Sequence, residues 1–332
     1  RDVERSRGLG DVYKRQAMKN VGKVRNQGIE LTLNTTNIKN RHFSWTTNFN
    51  IAFNKNKVLE LAENQSSLLS AAKFDQNYNS QYSYIAKVGY PMGMMYGFIY
   101  EGTYKYEDFD KVGDTYTLKR NVPYFSSESN TQPGMPKYAD LNGDGIIDDN
   151  DRTMIGNGMP KHTGGFTNNF EYKGFDLSIF FQWSYGNDVL NANRLFFENS
   201  NKTRDLNQYA SYADRWTPEN PTSDIPAATN SSSNRVISSR IIEDGSYLRL
   251  KNVTVGYTFP AKLVKKWKID KARVYVAAQN LWTCTGYSGY DPEVSTMSNA
   301  MTPGVDFGAY PRSRSFVFGV NVCLLYTSPS PR

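Results

Sequence analysis

Residues 166–183 read FTNNFEYKGFDLSIFFQW, and this stretch decides the fold. Large apolar side chains recur at nearly every second position, which is the period of a β-strand with one apolar face. Lys173 and Gly174 interrupt the pattern, and glycine readily adopts the positive φ that a two-residue hairpin needs. The stretch therefore predicts two antiparallel strands joined by a tight turn.

The same alternation recurs in five further runs, at 29–33, 43–53, 253–259, 274–278 and 316–322. Many runs reach about ten residues, which is longer than a typical soluble strand and close to the length that crosses a bilayer. The intervening positions are mostly Asn, Thr, Ser, Gln, Glu and Arg. One apolar and one polar face are typical of a barrel with lipid outside and water inside.

The segments between these runs alternate between short and long. The short ones are 37–41, 173–174 and 260–270, and the long ones are roughly 54–163, 184–245 and 283–311. Antiparallel neighbours return to the same side, so all long segments should lie at one end, as the extracellular loops of outer-membrane barrels do. We predict an all-β fold: an antiparallel transmembrane β-barrel, present here as an incomplete, open curved sheet with long extracellular loops.

Composition narrows the choice of protein class. The 332 residues are 14% aromatic and 21% charged, with a mean hydropathy of −0.62. No run approaches the roughly 18–20 apolar residues of a membrane-spanning helix. Two Cys and two His make a disulfide scaffold or a multi-histidine metal site improbable. Aromatic rings are predicted at the two membrane–water interfaces, or alternatively in the core of a soluble β-protein; they are Trp45, Trp183, Tyr257 and Trp282.

Both termini have a sequence unlike the rest of the chain. Codons can be chosen for SRGLGDVYKRQ (6–16) whose reverse complement encodes CLLYTSPSPR (323–332). Such complementarity is typical of a translated sequencing adapter, and segments of that kind carry no information about the native fold. We predict that residues 1–16 and 323–332 are not native. Residues 17–322 are then the C-terminal part of the barrel, and the net charge of +7 is partly due to the ends.

Residues 140–151 read DLNGDGIIDDND, which matches the spacing of an EF-hand-type calcium loop. Gly145 stands at position 6, where the chain must turn sharply. Position 12 is Asp instead of the usual Glu, which resembles dockerin-type loops and suggests weaker binding. The alternative is an Asx-rich turn stabilised by its own side chains. The predicted Ca²⁺ ligands are Asp140, Asn142, Asp144, Ile146 (through its carbonyl), Asp148 and Asp151.

Other candidate chemistry is sparse. His42 and His162 lie far apart with no nucleophile signature around them, so we predict no catalytic residues and no enzyme. The modest charge gives little support to a nucleic-acid partner. Residues 87–106, KVGYPMGMMYGFIYEGTYKY, are rich in Tyr, Met and Gly. Their rings would either contact a sugar or pack a folded loop; the candidate substrate-binding residues are Tyr90, Tyr96 and Tyr100.

These pieces together resemble the C-terminal half of SusC/RagA-type TonB-dependent outer-membrane transporters. The resemblance runs in order through nearly all of residues 17–322. The matching stretches are VRNQGIELTLNTTNI (24–38), KVGYPMGMMYGFIYEGTY (87–104), 140–189, DGSYLRLKNVTVGYTFP (244–260), VYVAAQNLWTCTGYSGYDPEV (274–294) and YPRSRSFVFGVNV (310–322). Cys284 departs from the pattern, since the family usually has an apolar or aromatic residue there.

The resemblance implies active import of oligosaccharides or peptides across the cell outer membrane. It implies a plug domain inside a barrel of about 22 strands. It also implies a SusD-like surface lipoprotein over the extracellular loops and energy from the TonB–ExbB–ExbD complex. Residues 140–151 would lie in an extracellular loop.

Two rival classes remain at this point. A soluble, calcium-stabilised carbohydrate-binding β-domain would bury Phe43, Phe49 and Phe181 between two packed sheets. A barrel would turn them outward from one curved sheet. A glycoside hydrolase would need two carboxyl groups facing one cleft. The spacing of the Asp and Glu residues in the sequence does not indicate such a pair.

Overall fold

The computed structural model describes residues 22–62, 65–76, 78–199, 207–228, 235–297 and 299–324. The predicted adapter segment 1–16 and most of 323–332 lie outside these residues. Cys323 and Leu324 are described, and they continue the last strand opposite Lys271 and Ile269. The non-native origin of the ends stays a prediction.

Seven long strands form one antiparallel sheet in which every strand pairs with its neighbours in the chain. They are β1 (Gly22–Lys39), β2 (Phe43–Leu61), β3 (His162–Tyr172), β4 (Phe175–Tyr185), β5 (Tyr247–Thr258), β6 (Ile269–Thr285) and β7 (Ser315–Leu324). All seven predicted strands are present, and the predicted all-β antiparallel fold is confirmed. Strand β2 runs eight residues beyond the predicted end at Phe53, because its loop-side half keeps pairing with β1.

The strand register separates apolar from polar side chains across the whole sheet. One row of paired residues crosses all seven strands on the outer face: Ile38, Trp45, Phe170, Leu177, Val255, Val276 and Phe318. The adjacent row on the opposite face begins Thr36, Thr46, Asn169, Ser178 and Thr254. Alternate side chains of a strand point to opposite faces, so the sheet has one apolar and one largely polar surface.

The short connections all lie at one end of the sheet, as predicted. Lys173 and Gly174 have φ of 47° and 90°, the two positive values of a type I′ hairpin. The other short connections join β1 to β2 and β5 to β6, the latter through α2 (Ala261–Val264) and a 3-10 turn at Lys265–Trp267. The sheet's opposite end carries the three long connections.

The described residues of the three long connections, 62–161, 186–246 and 286–314, fold together into one structure, here called the loop layer. Its largest hydrophobic core draws on all three connections: Ala72, Phe74, Tyr78, Tyr84, Met95, Leu190, Ala192, Leu195, Ile237, Ile241 and Val305. The strand Asp188–Asn191 pairs with both Ile242–Asp244 and Val305–Asp306. Thus the buried apolar clusters of the described residues lie beyond the strand ends.

The described residues of the loop layer form only short elements. Its other strands are Ser67–Ser70, Tyr84–Lys87, Met94–Gly97, Tyr100–Thr103, Phe109–Val112, Thr115–Leu118, Tyr124–Phe125, Pro136–Tyr138, Ile146–Ile147 and Thr153–Asn157. Its helical turns are α1 (Asn193–Phe197) and 3-10 turns at Tyr106–Asp108, Glu128–Asn130, Asp149–Asp151, Ala210–Asp214 and Ser239–Ile241. No helix in the described part of the chain is both long and apolar enough to span a membrane.

The large aromatic residues of the sheet are not enclosed between two sheets. Phe43, Phe49 and Phe181 are half-buried, and their neighbours lie on the same face; the Phe166 and Phe181 rings are 4.8 Å apart. The other sheets of the described residues have only two to four short strands. The packed-sheet arrangement expected of a soluble carbohydrate-binding domain is therefore not found.

Candidate functional site

A buried ion-pair network fixes part of the loop layer to the polar face of the sheet. Arg249 of β5 is only 2% exposed and donates to Asp291 Oδ1 at 2.6 Å and to Glu293 Oε2 at 3.1 Å. Arg312 approaches the same two carboxylates at 3.1 and 3.2 Å. Lys251 Nζ also lies 3.6 Å from Glu293 Oε2, so three cations surround the two carboxylates. The buried members, Arg249 and Asp291, are paired with each other, which is the condition under which buried ions are tolerated.

A cleft of about 690 Å³ opens beside this network, between the polar face and the loop layer. This volume falls in the range of small-molecule sites. The sheet contributes amide, hydroxyl and aromatic groups, and the third long connection forms the opposite wall. The polar and aromatic lining residues include Asn50, Thr163, Phe180, Gln182, Ser184, Asn187, Tyr247, Glu293 and Ser295. The arrangement can offer several hydrogen bonds and a ring surface to a polar molecule.

A second buried network holds the loop layer together. Glu198 is 5% exposed and accepts hydrogen bonds from Arg194 Nε at 3.0 Å and Arg240 Nη2 at 2.7 Å. Ser211 Oγ donates to its other oxygen at 2.6 Å. Burial alone would raise the pKa of Glu198, but Arg240, Ser211 and Arg194 together outweigh burial and hold that pKa below its ordinary value.

Acidification is expected to loosen the loop layer through Glu198. A carboxylate with a lowered pKa stabilises the fold fully above its unfolded value of 4.5. That contribution is lost as the pH falls through the lower folded value. Hydrogen exchange of the loop layer in the full-length protein should therefore rise below pH 4.5, and less steeply in Glu198→Gln. The exposed Glu128→Gln variant is the control; identical pH profiles for all three proteins would contradict the prediction.

The predicted calcium loop has the sharp turn expected at Gly145, with φ of 84°. Its acidic side chains accept hydrogen bonds from backbone N–H groups of the loop. Gly143 and Gly145 donate to the two oxygens of Asp140 at 2.7 and 2.8 Å, and Leu141 donates to the fully buried Asp151 at 2.8 Å. The described residues hold no group of three or more His, Cys, Asp or Glu side chains placed to share a metal ion.

The donor set of this loop fits a hard cation in its chemistry, because it consists of oxygens that keep further lone pairs. Calcium binding stays a prediction. In the full-length protein, Asp144→Ala is expected to weaken Ca²⁺ binding at least tenfold, measured by calorimetric titration at millimolar Ca²⁺. Asp110→Ala removes an exposed carboxylate outside the loop and is the control. Equal affinity of wild type and Asp144→Ala would exclude the loop as the site.

The three candidate tyrosines lie in different surroundings. Tyr90 is 41% exposed, and Lys87 Nζ lies 5.4 Å from its ring centroid. Tyr96 is half-buried, and burial raises its pKa despite nearby Arg152. The Tyr100 hydroxyl donates to the Asp224 carbonyl oxygen, and its ring packs edge-on to Tyr138. None of the three lines the cleft. Substrate contact stays a prediction, and Tyr90 has the most accessible ring.

Sequence reasoning did not find the cleft or the Arg249 network. A signal was present, since Arg249 is a charged residue within an otherwise alternating strand, YLRLKNVTVGY. Its partners Asp291 and Glu293 lie over forty residues further along the chain, in a segment without periodicity. Arg249 comes close to Asp291 and Glu293 only in the folded structure.

Known proteins similar to this chain are consistent with its antiparallel, barrel-like sheet. The chain is 34% identical over 312 residues to TonB-dependent receptor P3 of Formosa agariphila, across 92% of this chain and 29% of the relative. This chain belongs to the TonB-dependent receptor family. TonB-dependent receptor SusC of Bacteroides thetaiotaomicron is 25% identical across 95% of the chain and 28% of its own length. No family model matches the chain.

Solved structures show the same TonB-dependent receptor fold. A structure of the RagAB peptide transporter superposes with a TM-score of 0.70 at 24% identity, over 92% of this chain and 30% of that one. The RagAB peptide importer in the open-open state gives 0.67 at 25% identity. The chain spans about 30% of the length of the curated TonB-dependent receptors it matches.

Proposed function

We propose that the full-length receptor containing this chain imports a polar cargo, an oligosaccharide or a peptide, across the cell outer membrane. One observation carries the proposal. Seven strands share an apolar outer face, and their polar inner face borders a cleft beneath the loop layer. A wall of this kind separates lipid from an aqueous passage. The long connections then lie at the extracellular end and the short ones at the periplasmic end.

The proposed partners follow from the family. A SusD-like surface lipoprotein would cover the extracellular side of the loop layer, and the TonB–ExbB–ExbD complex would supply energy from the periplasmic side. The family name of the relatives and the solved RagAB assembly support this proposal. The receptor is proposed to act as a transporter and not as an enzyme.

An uptake assay tests whether the cargo is an oligosaccharide or a peptide. The full-length receptor is expressed in a host that lacks its own copy, and fluorescent oligosaccharide and peptide pools are offered with and without TonB. Ser295→Trp should reduce uptake of the true cargo at least tenfold, because an exposed cleft residue gains a bulky ring. Ser129→Trp, on an exposed turn outside the cleft, should transport normally. TonB-independent uptake, or unchanged uptake by Ser295→Trp, would contradict the proposal.

A further inference from the structure

The outer face of the β1–β2 hairpin carries an apolar band of defined height. On β2 it runs from Phe43 to Phe53, and the paired end of the band on β1 is Ile29. Ten residues of strand extend about 33 Å, or about 25 Å of height at a tilt of about 40°. This equals the usual height of the lipid-facing band of a barrel. Side chains directly beyond Ile29 and Phe53 would therefore lie at the level of lipid headgroups.

Three of the four outward positions directly beyond the band are basic, and the fourth is Gln27 opposite Lys55. Lys55 and Lys57 follow Phe53 at steps of two residues and so share its face. Arg25 on β1 stands directly opposite Lys57. Like charges opposite each other on antiparallel strands are destabilising unless an anion balances them. In the part of the chain that the structure describes, none of these three cations forms an ion pair, whereas Arg249, Arg273 and Arg312 all do.

Two adjoining cavities are formed there. One of about 220 Å³ is lined by the three cations together with Gly89 and Pro91. The other, of about 520 Å³, has a largely apolar wall that includes Ile29, Phe53, Pro91, Met159 and Pro160. Gln27, Lys55, Asn56 and Pro91 border both cavities, which makes them continuous.

We propose that this surface binds a phosphate-bearing lipid of the outer leaflet. Its phosphates contact Arg25, Lys55 and Lys57, and an acyl chain lies in the apolar groove against Ile29 and Phe53. Arginine suits this role because its guanidinium pairs with phosphate in a bidentate manner. The inference rests on the membrane orientation in the proposed function, but it concerns a lipid site outside the transport path.

The test uses the purified full-length receptor and native mass spectrometry with three probes. They are bis-phosphorylated lipid A, the same lipid without phosphates, and inorganic phosphate. The triple variant Arg25→Gln/Lys55→Gln/Lys57→Gln is compared with Lys262→Gln/Lys265→Gln/Lys266→Gln, which removes the same charge from exposed positions at the opposite end. Since one basic residue at a membrane surface contributes about a fivefold change in affinity, the first triple should weaken lipid A binding more than tenfold. The second triple should change it less than twofold.

The apolar part is tested separately with Ile29→Ser, at a position that is 73% exposed and so can be changed without disturbing a core. This variant should weaken lipid A binding as well. The proposal is overturned if the first triple binds lipid A as wild type does, or if the dephosphorylated lipid binds equally. Full displacement of lipid A by 10 mM inorganic phosphate would overturn it too, by showing a free-phosphate site. Failure of cargo uptake with intact lipid selectivity would refute the proposed function alone.

Discussion

Replacing Arg249 by methionine is expected to release the third long connection from the polar face of the sheet. The variant removes the buried cation that pairs with Asp291 and Glu293, and leaves these carboxylates only the exposed Arg312 and, at Glu293, Lys251. Breaking a buried ion pair costs about 3–5 kcal/mol when the remaining charge is left without a partner. The contacts that Arg312 and Lys251 keep lower the expected cost here. Because the cleft borders Glu293, the proposed uptake of cargo should fall along with local stability.

Hydrogen exchange of residues 286–297 in the full-length receptor measures this effect. Arg249→Met should exchange faster there, while the β3–β4 hairpin stays protected. Arg314→Met removes an exposed arginine that has no ion pair among the described residues, and it should behave as wild type. A double variant, Arg249→Met/Asp291→Asn, should recover part of the protection. Unchanged exchange in Arg249→Met would show that the network does not hold the connection.

Gly97→Val is expected to separate two of the connections that form the loop layer. A Cβ at position 97 would lie 2.4 Å from the Ile237 carbonyl oxygen and 3.0 Å from Ile155 Cδ1. The next residue, Phe98, donates its N–H to that same Ile237 oxygen at 3.1 Å. Since the obstacle is backbone, the two segments must move apart, at a cost of about 2 kcal/mol or more.

Limited proteolysis of the folded full-length receptor tests this prediction. Gly97→Val should expose new cleavage sites in 62–161 and 186–246 without altering the seven strands. Gly286→Val is the matched control, because a Cβ at Gly286 meets no atom within 4 Å and its φ is not in the left-handed region. If both variants resist protease equally, the contact between Gly97 and Ile237 does not hold the connections together.

The seven-stranded sheet could be predicted from the sequence because the features that determine it involve residues close together in the chain. Alternation fixes which face each residue takes, and Lys173-Gly174 fixes the hairpin and hence the register of β3 with β4. The turn at Gly145 is local in the same sense, since its hydrogen bonds span five residues or fewer.

The loop layer could not be predicted in this way. Its contacts join residues far apart in the chain, such as the Tyr84 hydroxyl donating to the Pro303 carbonyl oxygen at 2.7 Å. No periodicity marks such partners, and short strands such as Val305–Asp306 are too brief to show alternation. The candidate tyrosines illustrate the difficulty: the sequence shows that Tyr100 is aromatic, but not that its hydroxyl is bonded to the Asp224 backbone.

The position of the hydrophobic core has a consequence for assembly. Ala72, Leu195, Ile241 and Val305 meet in one cluster, yet they come from connections that are separated by pairs of wall strands. A shift of two residues in any hairpin would move one connection by nearly 7 Å relative to the others. The cluster can therefore close only when the strands are correctly paired. Closure of this cluster at the water-exposed end therefore depends on correct pairing of the strands in the lipid-embedded sheet. Protection of the Ile241 amide from hydrogen exchange should appear late in folding, and only when the seven strands are correctly paired.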